Sequence, residues 1–161
     1  MKTILLTIGV FFALVANVRA ADRLERSALL SIPEEVTAWS QFDVEVAFRW
    51  DEDTPLKITI WSLKKGLSVA GEIEFFDENG KMIRRMFPTQ PASMPQIQNA
   101  ERIVTKGEVV KLGLYYQGGP VFERRGVYYA VATFSSTLEN ETDVRFTTKK
   151  RWFKVSIKDR K

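Results

Sequence analysis

The sequence predicts an all-β domain of seven to eight antiparallel strands, folded as a sandwich. Three observations predict it. Apolar and polar residues alternate in run after run from Trp39 onward. Clusters of Gly, Pro, Asp and Asn punctuate these runs at short spacing. No helical periodicity stands between the runs, so neighbouring strands are expected to run antiparallel. A single open sheet would leave one apolar face wet, and two stacked sheets remove that cost.

The elements follow in order. Asp22 to Leu30 reads as one or two helical turns. Phe42, Val44, Val46, Phe48 and Trp50 alternate with Gln41, Asp43, Glu45, Ala47 and Arg49, which describes a half-buried strand. Asp51 to Pro55 is a turn. Leu56, Ile58 and Ile60 continue the inward face on a second strand. Gly71 to Phe76 runs into Asp77-Glu78-Asn79-Gly80, which supplies the positive-φ residues of a hairpin, and Lys81 to Phe87 returns. Pro88 to Pro95 holds three prolines, Pro88, Pro91 and Pro95, which a central strand does not tolerate. Ile103 and Val104 lead to a Lys106-Gly107-Glu108 turn. Val110, Leu112, Leu114 and Tyr116 alternate next, until Gln117-Gly118-Gly119-Pro120 breaks the strand. Gly126 opens another strand, and Phe146 to Lys158 reads as the last.

The first twenty residues have the form of a secretory signal. Lys2 gives a positive start, Ile4 to Ala16 is an apolar run, and Val18-Arg19-Ala20 places small residues before cleavage after Ala20. The run is shorter than the ~20 apolar residues of a membrane span. Residues 21–161 are then expected to form one periplasmic or secreted domain, with no stable membrane span after cleavage. A chain of this size buries roughly two thirds of its unfolded surface and needs no staples. There is no Cys at all, although an oxidising compartment would permit disulfides. Losing Lys2 and Arg19 leaves 22 basic and 20 acidic residues, a balance that does not mark a nucleic-acid binder. Asn140-Glu141-Thr142 is a glycosylation sequon, relevant only in a eukaryotic host.

Two stretches carry a family resemblance. Lys106-Gly107-Glu108 and Gly126-Val127-Tyr128-Tyr129-Ala130-Val131-Ala132-Thr133-Phe134 resemble the late half of secreted immunoglobulin-like domains. In those domains a Gly-Glu turn precedes one strand and Gly-x-Tyr opens the next. The Asp77–Gly80 hairpin resembles the middle of bacterial members, and the pattern is similar to macroglobulin-type domains and to a proteinase-inhibitor family of bacilli. The resemblance spans most of Leu56 to Ile157. It implies an immunoglobulin-like β-sandwich, a tyrosine corner at Tyr128, and a last strand with Phe153, Val155 and Ile157 inward. Arg125 stands where such domains often carry Pro, and the Cys pair and core Trp of antibody domains are missing. The resemblance concerns a fold, not an activity.

The composition excludes much chemistry. With no His and no Cys, triad and thiol catalysis and the usual zinc, copper and haem ligands are absent. A glycosidase would need two carboxylates held roughly 5 to 9 Å apart across a cleft, and no pair stands out. The expectation is a non-enzymatic module without a cofactor. Four candidate surfaces remain. By alternation, Tyr129 and Val131 face outward beside Trp152 and Lys154, forming an aromatic patch with a basic rim suited to a protein or a glycan. Trp61, opposite in register to Ile58 and Ile60, would add to a sugar platform, whereas Trp50 belongs to the core. The Pro88–Pro95 loop is stiff enough to present to a partner or a peptidase. The basic stretch Lys149, Lys150, Arg151, Lys154, Lys158, Arg160 and Lys161 would suit an anionic surface or guard a strand edge. Finally, Asp51 to Asp53 and Asp77 to Asn79 are acidic turns that offer oxygen ligands for calcium. The protein-partner reading leads. Carbohydrate binding, proteinase inhibition and a structural role in an envelope assembly are its alternatives.

Overall fold

The computed structural model describes residues 23–63, 66–87, 98–115 and 122–157. The expected signal at residues 1–20, the prolines Pro88, Pro91 and Pro95, Tyr116, the Gln117–Pro120 break, and Lys158, Arg160 and Lys161 lie outside them. Among the described residues the chain is all-β, with eleven strands and no helix. In order these are β1 (Leu24–Ser31), β2 (Glu35–Thr37), β3 (Glu45–Arg49), β4 (Leu56–Leu63), β5 (Gly66–Asp77) and β6 (Met82–Met86). There follow β7 (Gln98–Val104), β8 (Val109–Tyr115), β9 (Gly126–Leu138), β10 (Asp143–Thr148) and β11 (Arg151–Ser156).

Hydrogen bonding links them in the order β2-β11-β9-β10-β1-β3-β8-β5-β4-β7, with β6 on β5. β5 also pairs with β9, Gly71–Asp77 against Tyr128–Phe134, so the path from β9 through β10, β1, β3 and β8 to β5 closes on itself. Two long strands make this possible by changing neighbours along their length. β9 pairs with β11 over Gly126–Ala130 and with β10 over Thr133–Thr137. β5 leaves β4 and β8 near Ala70 and joins β9 and β6 beyond it. Gly71 stands at that handover. A Cβ there would displace the end of the Leu114 side chain and crowd the Thr133 carbonyl oxygen at 3.1 Å, so the close approach of β8 and β9 favours glycine.

Several expectations need correction. The pairing is mixed, because β1–β10, β2–β11 and β5–β8 are parallel. A parallel pair needs a long connection, and intervening strands supply it as well as a helix does. Among the described residues there are eleven strands where seven or eight were expected. Within the stretch read as helical turns from Asp22 to Leu30, the described part from Leu24 onward is strand β1. Leu24, Arg26, Ala28 and Leu30 lie on its more buried side, and the Leu24–Ala28 spacing also fits one helical face. The last strand expected over Phe146 to Lys158 divides in its described part: β10 ends at Thr148, β11 runs Arg151–Ser156 after Lys149-Lys150, and Ile157 falls just beyond β11 at 52% exposure.

The core is one cluster. Val44, Val46, Phe48 and Trp50 are buried as the alternation requires, and so are Leu56, Ile58 and Ile60. The Trp50 indole N–H is satisfied by the Thr54 carbonyl oxygen at 2.9 Å, so its burial leaves no orphan donor. Large rings gather in two groups. Phe48, Trp50, Phe134 and Phe146 form one, with Phe134 and Phe146 stacked at 4.7 Å. Phe42, Phe75, Phe122, Tyr128 and Phe153 form the other. Hairpin β5–β6 turns as the sequence implies. Gly80 has φ 82°, the Asp77 amide donates to the Lys81 carbonyl, and the Asp77 carboxylate accepts from the amides of Asn79 and Lys81.

Candidate binding surfaces

The first surface is the solvent side of β5, β9 and β11. In register, Phe76 faces Tyr129, and Tyr129 faces Trp152. The Phe76 and Tyr129 rings stack at 4.8 Å and 9°. The Trp152 ring sits 4.8 Å from Tyr129, tilted by 55°. Lys150 Nζ lies over the Tyr129 ring at 4.5 Å, a cation–π contact. The alternation points Tyr129 outward, but it is only 6% exposed, so it is not the open contact residue expected. Three neighbours cover its ring. Trp152 is 47% exposed and Val127 is 44% exposed beside it.

Lys154 is exposed and pairs with Val127, while Val131 is half-buried and faces Glu74. The expected Val131–Lys154 neighbourhood is therefore wrong. Antiparallel strands run in opposite directions, so moving two residues along β11 from Trp152 leads to Val127, not Val131. Met82, 44% exposed, extends the apolar row on the far side of Phe76. Arg85 flanks it, with Nε 2.7 Å from a Glu74 carboxylate oxygen and 2.9 Å from one of Glu72. The Glu74 hydrogen bond raises the Arg85 pKa further, so this guanidinium is a permanent cation.

The other sequence candidates are dispersed. Trp61 is half-buried in β4, in register with Ser68 of β5 and Asn99 of β7, on a different part of the sheet from Tyr129 and Trp152. Lys149 and Lys150 form the β10–β11 connection, and Arg151 reaches the Ile32 carbonyl and Glu34. β11 lies between β2 and β9, and its one lysine, Lys154, is in register with Glu35 of β2, so Lys154 does not guard an edge. The acidic turn does not converge on a point. Asp51 pairs with Arg49, Glu52 with Arg26, and Asp53 with Lys106. Among the described residues no group of three or more carboxylates could hold a metal ion. No helix among them is long and apolar enough to cross a membrane.

A second surface escaped the sequence reading. A cleft of about 520 Å³ opens between the β5–β6 hairpin and the segment before β9. Ile83, Phe122 and Tyr128 line it with apolar surface. Lys81, Arg84 and Arg124 bring positive charge, and Asp77 and Glu123 bring negative charge. The Tyr128 hydroxyl donates to the Arg124 carbonyl oxygen at 3.0 Å. The Phe122 carbonyl accepts from the Trp39 amide at 2.9 Å. Trp39 is itself unusual, with φ 66° and 66% exposure, a conformation that costs a bulky residue about 1–3 kcal/mol. The lining comes from two stretches, Asp77 to Arg84 and Phe122 to Tyr128, with Trp39 tied to the second, and no motif or period in the sequence announces their meeting.

No protein-family model matches the chain, and no curated protein matches it. Among solved structures, one described as the ApaA protein from Bordetella pertussis aligns with 80% of this chain and 94% of its own, at 11% identity and a TM-score of 0.44. That likeness assigns no function.

Proposed function

We propose that this chain is an exported, non-enzymatic module of one immunoglobulin-like domain that docks a protein partner on the solvent side of β9 and β11. Trp152 carries the reading. A large indole stands nearly half exposed near the start of β11, backed by a tyrosine that is itself fixed by Phe76 and Lys150. A rigid aromatic anchor gives up little entropy on binding, which is why interface hot spots favour Trp. Lys150 and Lys154 flank it, so the partner presents an apolar pocket with an acidic rim. The Tyr128 hydroxyl bond to the Arg124 backbone supports the immunoglobulin-like assignment, because a tyrosine corner makes such a bond.

A carbohydrate reading is less well supported by the same geometry. Sugars stack on open ring faces. Here Phe76 stacks on Tyr129, Lys150 lies over it, and Trp152 is tilted against it.

The test is affinity capture from the host's envelope extract, followed by purification of the captured protein and titration against wild type and Trp152→Ala. Trp152→Ala is expected to weaken binding by about 2 kcal/mol or more, roughly 30-fold. Lys154→Glu is expected to slow association and to flatten its salt dependence. A purified partner that binds Trp152→Ala as tightly as wild type sinks the proposal. Quenching of Trp emission by soluble polysaccharide, lost in Trp152→Ala, moves the assignment to carbohydrate binding.

A further inference from the structure

We infer that the cleft beneath the β5–β6 hairpin captures the C-terminal residue of a peptide chain, holding its apolar side chain and its carboxylate together. This site lies on the opposite side of β9 from Trp152 and stands apart from the docking face. Tyr128 belongs to the core-facing group of rings, while its neighbour Tyr129 belongs to the solvent-facing row.

The floor is preformed. Phe122 is 5% exposed and packs against Phe75 at 5.2 Å, Phe153 at 5.3 Å and Tyr128 at 4.9 Å. Its carbonyl is tied to the Trp39 amide, and Tyr128 is tied to the Arg124 backbone. Binding to such a floor costs little reorganisation. Its ring surface and the exposed Ile83 suit an aliphatic or aromatic side chain.

The rim decides the charge. Lys81, Arg84 and Arg124 oppose Asp77 and Glu123, leaving one net positive charge among the described lining side chains. Asp77 is already engaged with the amides of Asn79 and Lys81, which fixes it inside the hairpin. A monoanion matches this rim, whereas a polyanion meets two carboxylates at close range. Guanidinium groups pair with a carboxylate through paired N–H donors. The volume of about 520 Å³ falls in the range of small-ligand sites and admits more than one residue. β6, which supplies Ile83 and Arg84 to the rim, is held in place by its pairing with β5.

The experiment titrates the purified protein with the tetrapeptide Gly-Gly-Leu-Phe as its free acid, the same peptide as its C-terminal amide, and 3-phenylpropionate. Binding is read by calorimetry and by NMR shifts of the Phe122, Tyr128 and Ile83 resonances. The free acid is expected to bind at least about tenfold tighter than the amide and than 3-phenylpropionate. Arg124→Ala is expected to weaken the acid about tenfold. It leaves the Tyr128 bond intact, because that bond is to the Arg124 backbone. Trp152→Ala is expected to leave this affinity unchanged, which separates failure here from failure at the docking face. Equal binding of acid and amide overturns the inference. So does 3-phenylpropionate binding as tightly as the peptide, or peptide shifts that fall outside the cleft.

Discussion

Ala132 sits where β9 has lost one neighbour and not yet gained the next. β11 pairs with β9 as far as Ala130, and β10 begins at Thr133. The Ala132 amide is fully buried there and donates to the Thr148 hydroxyl at 2.8 Å. A side chain thus completes the ladder where backbone cannot reach, which accounts for a buried Thr at the end of β10. Thr148→Val keeps the shape but removes the acceptor. It is expected to lower stability by about 1–3 kcal/mol, the cost of an orphaned buried amide, while Thr148→Ser is expected to cost less than half as much. Urea denaturation of the two variants measures the difference, and equal losses would mean that packing, not the hydrogen bond, holds the junction. Single residues were only partly legible in the sequence. Alternation gives the side on which Tyr129 lies but not its cover, because that depends on Phe76 from another strand and Lys150 from a turn.

At the scale of elements, legibility follows how local the cause is. The β5–β6 hairpin and the Gly107 turn were readable because a glycine at positive φ and an Asx-type carboxylate act within a few residues. The parallel pairs were not readable, since period two marks a strand without naming its neighbour. The same distinction governs two turns that meet across the chain. The loop after β3 and the loop before β8 are joined by Lys106 and Asp53, 2.6 Å apart. That hydrogen bond holds the Asp53 carboxyl below its ordinary range and raises Lys106. Glu108 is lowered first by the Thr105 amide, which donates at 2.7 Å, and then by Arg102. Both carboxyls bind protons less readily when folded, so their stabilising effect is complete above the unfolded carboxylate range. It fades as pH falls through the depressed folded values. Lys106 contributes in the opposite direction, with its stabilisation lost at alkaline pH above its raised value. Because these groups are exposed, the effect is modest. Glu108→Gln is expected to flatten the loss of stability between about pH 5 and pH 3, as measured by urea midpoints across that range. An unchanged slope would mean that other carboxylates carry the acid response.

At the scale of the molecule, the two ring groups share one core although they stand around opposite ends of the Phe42–Trp50 alternation. The closed path of strands joins them, since β9 carries Tyr128 into one group and Phe134 into the other. A single cluster without disulfides is expected to unfold in one cooperative step. Phe75 tests this from one end. It is 0% exposed and touches Phe42, Phe122 and Phe153 edge-on. Phe75→Ala leaves a cavity that neighbouring strands cannot collapse into, and is expected to cost about 3–5 kcal/mol. If the core is one unit, Trp50 at the other end reports the same loss. Indole emission, read in a background with Trp39, Trp61 and Trp152 replaced by Phe so that Trp50 alone reports, and far-UV ellipticity then shift to lower urea together, with an unchanged slope. Separate midpoints for the two probes would instead make each ring group its own cooperative unit, with β9 the hinge between them. The cleft adds a second reading of the same variant. Phe122 rests on Phe75 and forms the cleft floor, so loosening that contact is expected to weaken peptide capture under conditions where the protein remains folded. The Trp152 face stands on Tyr129 and Phe76, outside that ring group, and its binding is expected to be unaffected until the chain unfolds.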